Sequence, residues 1–317
     1  MVKRIWSDIK PYLRWVIIGG TLFFLAKTFR AHWQEVIDIQ IGFWSWSLLV
    51  SALLVTLLAH VCSAGTWVGI LRAFKQPMGL RRGMEVYLIT NMGKYLPGNV
   101  WHFYGRINAL KEAGGSLPIA SFTVLLEPLL TVAVAMAIAL SGWTLNWQGN
   151  LSTQLGWGWA LLSMVAIFGI IHPRLFNPIM ARVSQFKKEA GNTAAIQLNF
   201  YPWWPMMGAF AFLGLRAAGF ILALLALMPI GLVQLPQLFS AFSFAWVLGV
   251  IIPGAPGGIG VFETTALELL QHDFAIGPLL SSLALFRVIS ILAEMSGAGL
   301  AIVSQQLGKV GSRNLLQ

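Results

Sequence analysis

Apolar runs of about twenty residues, repeated along the chain, constrain this sequence more than any other feature. Six are uninterrupted: residues 12–29, 44–71, 117–141, 156–172, 203–228 and 278–304. A helix needs about 20 apolar residues to cross a ~30 Å hydrocarbon layer. Charged residues make up 10% of the 317 and hydrophobic ones 57%, whereas soluble domains carry about 25% charged residues. The mean hydropathy is +0.74. We expect an all-α polytopic membrane protein, a single transmembrane domain over residues 1–317. A cytosolic enzyme, a disulfide scaffold and a nucleic-acid-binding domain are excluded. The single cysteine, Cys62, lies inside an apolar run and has no partner for an internal disulfide. Trp6, Trp44, Trp46, Trp143, Trp147, Trp157, Trp203 and Trp204 sit at run ends, where aromatic belts mark the membrane interface. No small-residue cleavage site follows Phe24, so the first run is expected to be a retained helix and not a signal peptide.

Two further apolar runs are broken by Pro-Gly. One covers 84–113 and breaks at Pro97-Gly98. The other covers 236–272 and breaks at Pro253-Gly254-Ala255-Pro256-Gly257-Gly258. Lys and Arg are distributed unevenly. The N-terminus, the 72–82 and 173–202 loops and the C-terminus hold fourteen, against two (Lys27 and Arg30) in the opposite loops. This bias predicts both termini in the cytoplasm. With six full spans and both ends inside, each broken segment must return to the side it came from. Both are therefore expected as re-entrant helical hairpins, the first from the cytoplasmic side and the second from outside. Irregular backbone at that depth is tolerated only where protein buries it or where it lines a polar cavity.

Span, span, hairpin, span then occurs twice, in opposite orientations. Repeat one covers about 12–141 and repeat two about 156–304. Pro118, Ser121, Leu125 and Glu127 match Pro278, Ser281, Leu285 and Arg287 at an offset of 160. Such sparse matches also arise by chance, but the topology agrees with them. Inverted repeats with broken helices characterise secondary transporters, whose sites lie near the midplane.

The first tip offers anion-binding chemistry. Asn99 is a good helix N-cap, and a helix starting there places Asn99, His102 and Arg106 on one face. With Lys94 and the free N–H groups of a helix N-terminus they would cradle a phosphate. The competing interpretation is a hairpin whose basic side chains snorkel to water. At the second tip, Gly254, Gly257, Gly258 and Gly260 suit either an anion-binding nest or a tight turn requiring positive φ or close packing. Glu263 follows as a candidate titrating group.

Glu127, Arg216, Arg287 and Glu294 lie inside apolar runs. Each costs about 2.5–3.5 kcal/mol at a helix centre, so all four should face inward and pair. We expect Glu127 and Arg287, at matching repeat positions, to form a central ion pair or share a substrate site. A purely structural pair is the alternative. His60 and Cys62 are expected to be packing residues. No metal-ligand spacing, nucleophile elbow or nucleotide-binding loop occurs, so no cofactor, no metal and no enzymatic activity are expected.

The stretches Gly93-Lys94-Tyr95-Leu96-Pro97-Gly98-Asn99-Val100-Trp101 and Pro253-Gly254-Ala255-Pro256-Gly257-Gly258-Ile259-Gly260-Val261-Phe262-Glu263 resemble the lysylphosphatidylglycerol synthase transmembrane region family. This is the flippase-like half of enzymes that make and translocate aminoacylated phosphatidylglycerol. The resemblance runs from about the second span to the last. It implies a cytoplasmic-membrane protein linked to lipid translocation. It also implies a two-hairpin core of Lys94, Pro97, Gly98 and Asn99 with Pro253, Pro256, Gly257, Gly258, Gly260 and Glu263. No synthase domain follows the last span before Gln317, so a stand-alone member without aminoacyl transfer is expected.

These features together predict a flippase or transporter for a phosphate-bearing lipid or lipid-linked intermediate. Lys94, Asn99, His102, Arg106, Arg287, Gly257 and Gly258 would hold the anionic head group. Glu127, Glu263, Glu294 and Arg216 would serve ion pairing or coupling. The alternatives are an accessory subunit delivering lipid to a partner synthase or glycosyltransferase and, less favoured, a membrane-embedded lipid-phosphate enzyme. Expected partners are membrane lipids with anionic or phosphate head groups and a lipid-synthesising enzyme, but no nucleic acid.

Overall fold

A computed structural model describes residues 42–96, 99–146, 201–252 and 255–314, with isolated positions between 23 and 34 and between 162 and 178. The expected spans 12–29 and 156–172 fall almost wholly outside the described residues. So do Pro97, Gly98, Pro253 and Gly254 at the two tips.

The described chain is mainly helical, with turns between the helices. Helix α1 is Phe43–Ala73, α2 Leu80–Asn91, α3 Trp101–Glu112, α4 Leu117–Asn146, α5 Trp203–Leu225, α6 Leu235–Ile251, α7 Val261–Leu270 and α8 Ile276–Asn314. Short 3-10 turns occupy Met92–Tyr95, Leu232–Gln234 and Pro256–Gly258. Five stretches are long and apolar enough to cross a membrane: Phe43–Ala73, Leu117–Gly142, Trp203–Leu225, Leu232–Ile251 and Ile276–Gly308. Four of them coincide with expected spans.

The helices are built inside out relative to a soluble bundle. On α1, Val50, Leu54 and Leu58 are exposed, while Thr56, His60 and Ser63 are buried beside Ala52, Ala59 and Ala64. On α8, Val288, Leu292 and Met295 face out, while Ser282, Ser290 and Glu294 face in. Water would not select this pattern. A bilayer does, because lipid tails accept Leu and Val and leave polar groups to pair inside. Trp44, Trp46, Trp203 and Trp204 are exposed at helix ends, as interfacial anchors are.

Small residues let the spans approach. A Cβ on Gly208 would lie 1.9 Å from Thr66 Oγ1, and one on Gly219 would lie 2.4 Å from Thr56 Oγ1. These two contacts run α5 antiparallel against α1. Helices α4 and α6 meet where the Ser240 hydroxyl donates to the Ala139 carbonyl at 2.6 Å.

The helices that flank the two Pro-Gly breaks pack against each other as hairpins. Helices α2 and α3 have 12 residues each, about 18 Å at 1.5 Å per residue, too short to cross. Gly105 packs against Thr90 between the arms, and Gly93 packs against the His102 backbone. In the second hairpin α6 turns back as the 10-residue α7. Its first arm, with the preceding 3-10 turn, has the length and apolarity of a full span, where a shorter re-entrant arm was expected. Gly257, Gly258 and Gly260 take φ of 60°, 73° and 86°, the left-handed region glycine tolerates. Phe220, Phe242, Phe262 and Phe286, from α5, α6, α7 and α8, interlock with centroids 5.4–6.1 Å apart. They anchor this hairpin.

The hairpin tips touch each other. A Cβ on Gly257 would lie 2.8 Å from the Tyr95 ring.

Candidate functional site

Where the tips meet, a cavity of about 380 Å³ opens between both hairpins and the spans α1, α4, α5, α6 and α8. Lys94, Asn99, His102 and Arg106 of the first hairpin line it, as do Gly257 and Gly258 of the second. Glu127, Arg216, Arg287 and Glu294 reach it from the spans. Glu263 stands behind Arg287. The polar residues singled out at the tips and inside the spans thus converge on one place, although up to 200 residues separate them.

Three charge centres divide the cavity. In the first, Glu127 Oε2 accepts from Arg106 Nη1 at 3.2 Å. Its Oε1 accepts from Ser63 Oγ at 2.9 Å and Tyr87 OH at 3.0 Å. The Arg106 guanidinium lies 3.6 Å from the Tyr87 ring centroid, a cation–π contact in a desolvated setting. Its Nη2 reaches Asn91 Oδ1 at 3.5 Å.

In the second centre a single oxygen, Glu294 Oε1, gathers three groups. Lys94 Nζ is at 2.6 Å, His60 Nε2 at 3.1 Å and Arg216 Nη1 at 3.6 Å. The third joins Arg287 Nε to Glu263 Oε1. Arg287 Nη1 and Nη2 also donate to the Gly257 and Gly258 carbonyls at 3.0 and 3.3 Å. Glu263 Oε2 accepts the Gly260 N–H at 2.7 Å and so caps α7.

Several expectations are corrected. Glu127 and Arg287 do not pair with each other, although both line the cavity; each holds a residue of the hairpin that precedes it. Asn99 is not the N-cap of α3. That position is Val100, without a side-chain cap bond, and Asn99 takes φ 53°, a left-handed conformation that Asn tolerates better than most residues. The second tip turns carbonyls toward Arg287, and its Gly260 N–H is taken by Glu263, so these groups do not form an open nest of N–H donors. His102 lines the cavity, and its Nδ1 has no partner among the described residues.

His60, Ser63, Tyr87 and Asn91 also belong to the site and were missed. The signal for His60 was present, since a polar ring at the middle of an apolar run falls under the rule that singled out Arg216.

Among the described residues the cavity and Glu263 together carry four cations and three carboxylates, leaving one excess positive charge with the histidines neutral. Buried polar groups normally find partners. Here Arg106 Nε, Arg216 Nε, His102 Nδ1 and Glu294 Oε2 have none.

Comparison with known proteins identifies the family. The model of the family described as the lysylphosphatidylglycerol synthase TM region matches residues 13–295. An uncharacterized protein of Synechocystis sp. is 29% identical over 154 residues, covering 47% of this chain and 43% of that protein. The match thus spans less than half of either.

Proposed function

This chain belongs to the lysylphosphatidylglycerol synthase TM-region family, and from that premise we propose that it moves a phosphate-bearing lipid or lipid-linked intermediate across the cytoplasmic membrane. The observation that carries the proposal is the cavity's composition. Four cations face it, Arg106 and Arg216 buried and Lys94 and Arg287 partly buried, one more than the carboxylates balance, and two of their guanidinium Nε atoms lack a partner. A phosphate brings one negative charge or more and several acceptor oxygens. The acyl or prenyl chains stay in the bilayer while the head group occupies the cavity.

Alternating access accounts for movement to the other side. Both hairpins are then re-entrant, the termini are cytoplasmic, and the two halves form an inverted repeat that rocks about the cavity. The ion pairs support this symmetry. Glu127, on the span after the first hairpin, holds Arg106 of that hairpin's second arm. Arg287, at the matching position after the second hairpin, holds Glu263 of its second arm. The position is kept and the sign is exchanged. Transport is downhill or ion-coupled, with Glu127, Glu263 or Glu294 as the proton carrier. No chemical conversion of the lipid is involved.

The test is reconstitution in liposomes with a fluorescent phosphatidylglycerol, following loss of protection from an outside quencher. Translocation faster than in protein-free liposomes, and slowed at least tenfold by Arg106→Gln or Arg287→Gln in folded protein, supports the proposal. Rates equal to protein-free liposomes would refute it and favour delivery of lipid to a partner enzyme.

A further inference from the structure

The three charge centres are not equally closed, and the difference identifies where a phosphate binds. Arg106 and Arg287 each have a carboxylate and at least one further acceptor. Glu294, in contrast, holds two cations through one oxygen and leaves Oε2 buried with no partner.

The contact at His60 also cannot satisfy all its members. Nε2 lies 3.0 Å from Arg216 Nη1 and 3.1 Å from Glu294 Oε1. If Nε2 carries a proton, it donates to Glu294 and opposes the Arg216 N–H. If it carries a lone pair, it accepts from Arg216 and opposes the carboxylate. One of the two contacts is unfavourable in either tautomer while Glu294 is ionised. Arg216 is 7% exposed and lines the cavity, and its Nε–H, like that of Arg106, has no acceptor; unlike Arg106, it has no carboxylate within 3.5 Å, since Glu294 Oε1 lies at 3.6 Å. Nε–H and an Nη–H form the edge of a guanidinium that takes two oxygens of a phosphate side by side. Lys94, on the first tip, is the most accessible member, with its side chain 21% exposed.

We propose that Lys94, His60 and Arg216 form the phosphate subsite of the cavity, and that Glu294 is its resident counter-anion. Glu294 holds both cations when the site is empty and yields them when a head group arrives. This inference rests on the transport function proposed above and refines where its substrate is held. A bound phosphate gives Arg216 the acceptors it lacks and frees His60 to pair in one tautomer. Glu294 in turn keeps binding weak enough for release, since it competes for the same two cations.

The test uses the purified full chain in detergent, titrated with short-chain phosphatidylglycerol and separately with inorganic phosphate. Affinity and the ligand-induced rise in Tm are read. Glu294→Gln is expected to bind at least tenfold more tightly than the wild type, with a larger rise in Tm. The double variant Arg216→Gln/Glu294→Gln keeps the wild-type net charge and does not leave Arg216 uncompensated. It is expected to bind at least tenfold more weakly, and it carries the test alone if Glu294→Gln does not fold. A response to the lipid alone assigns the subsite to a head group; a response to both assigns it to phosphate from either source. Glu294→Gln binding no tighter than the wild type, or a double variant matching it, overturns the inference while the transport proposal stands. A wild type that binds neither probe overturns both.

Discussion

The Lys94 ammonium and the Glu294 carboxylate meet at 2.6 Å across 200 residues of chain, tying the first hairpin's tip to the last helix. The two partners are not equivalent. Without Lys94, Glu294 still faces Arg216; without Glu294, both cations lose their carboxylate. Breaking a buried pair by stranding a charge costs about 3–5 kcal/mol, while losing one hydrogen bond to a charged group costs about 1.5–3 kcal/mol. Glu294→Gln should therefore destabilise the ligand-free protein more than Lys94→Met. Unfolding in detergent measures this, and equal or reversed losses would contradict the assignment.

The Glu127 cluster should behave as one unit. Glu127→Gln strands Arg106 and is expected to cost about 3–5 kcal/mol. Tyr87→Phe removes one donor to Glu127 and is expected to cost about 1–3 kcal/mol. Because Tyr87 contacts both Glu127 and the Arg106 guanidinium, the double variant should cost less than the sum by about 0.5 kcal/mol or more. Additive losses in the same unfolding assay would show that the hydroxyl and carboxylate act independently.

The sequence made the spans legible because lipid reads only hydrophobicity and length. The runs at 44–71, 117–141, 203–228 and 278–304 carried both signals without needing any partner. The hairpins were legible because Pro-Gly interrupts helices locally. Site residues were legible as types, since a charge inside an apolar run has to face inward. Their partners were not. Glu127 and Arg287 invited pairing by repeat symmetry, but which acid meets which base depends on how the hairpins fold back, which no local pattern encodes. His60 read as packing although a polar ring inside an apolar run has to face inward; only its partners, Arg216 and Glu294, were hidden. Asn99 read as a cap from residue type alone, yet α3 begins after Val100. The contact between Tyr95 and Gly257 belongs to two turns far apart in sequence, and neither announces the other.

That contact yields a prediction that separates backbone from side-chain crowding. Gly257 and Gly258 both take positive φ, which costs a side-chain-bearing residue about 1–2 kcal/mol. They differ in what a methyl group would meet. At Gly257 it is the edge of the Tyr95 ring, at 2.8 Å; at Gly258 it is the Gly249 backbone, at 3.1 Å. A ring can rotate aside or be removed, whereas the α6 backbone at Gly249 cannot. Gly258→Ala should therefore be damaging in every background, because it pushes the two arms of the second hairpin apart. Gly257→Ala should be damaging only while Tyr95 is present, apart from the cost of its φ. Tyr95→Ala/Gly257→Ala should recover stability relative to Gly257→Ala, and Tyr95→Ala/Gly258→Ala should not. Thermal unfolding of the four variants in detergent decides this. Rescue at both glycines, or at neither, would mean that the tips do not meet through the Tyr95 ring.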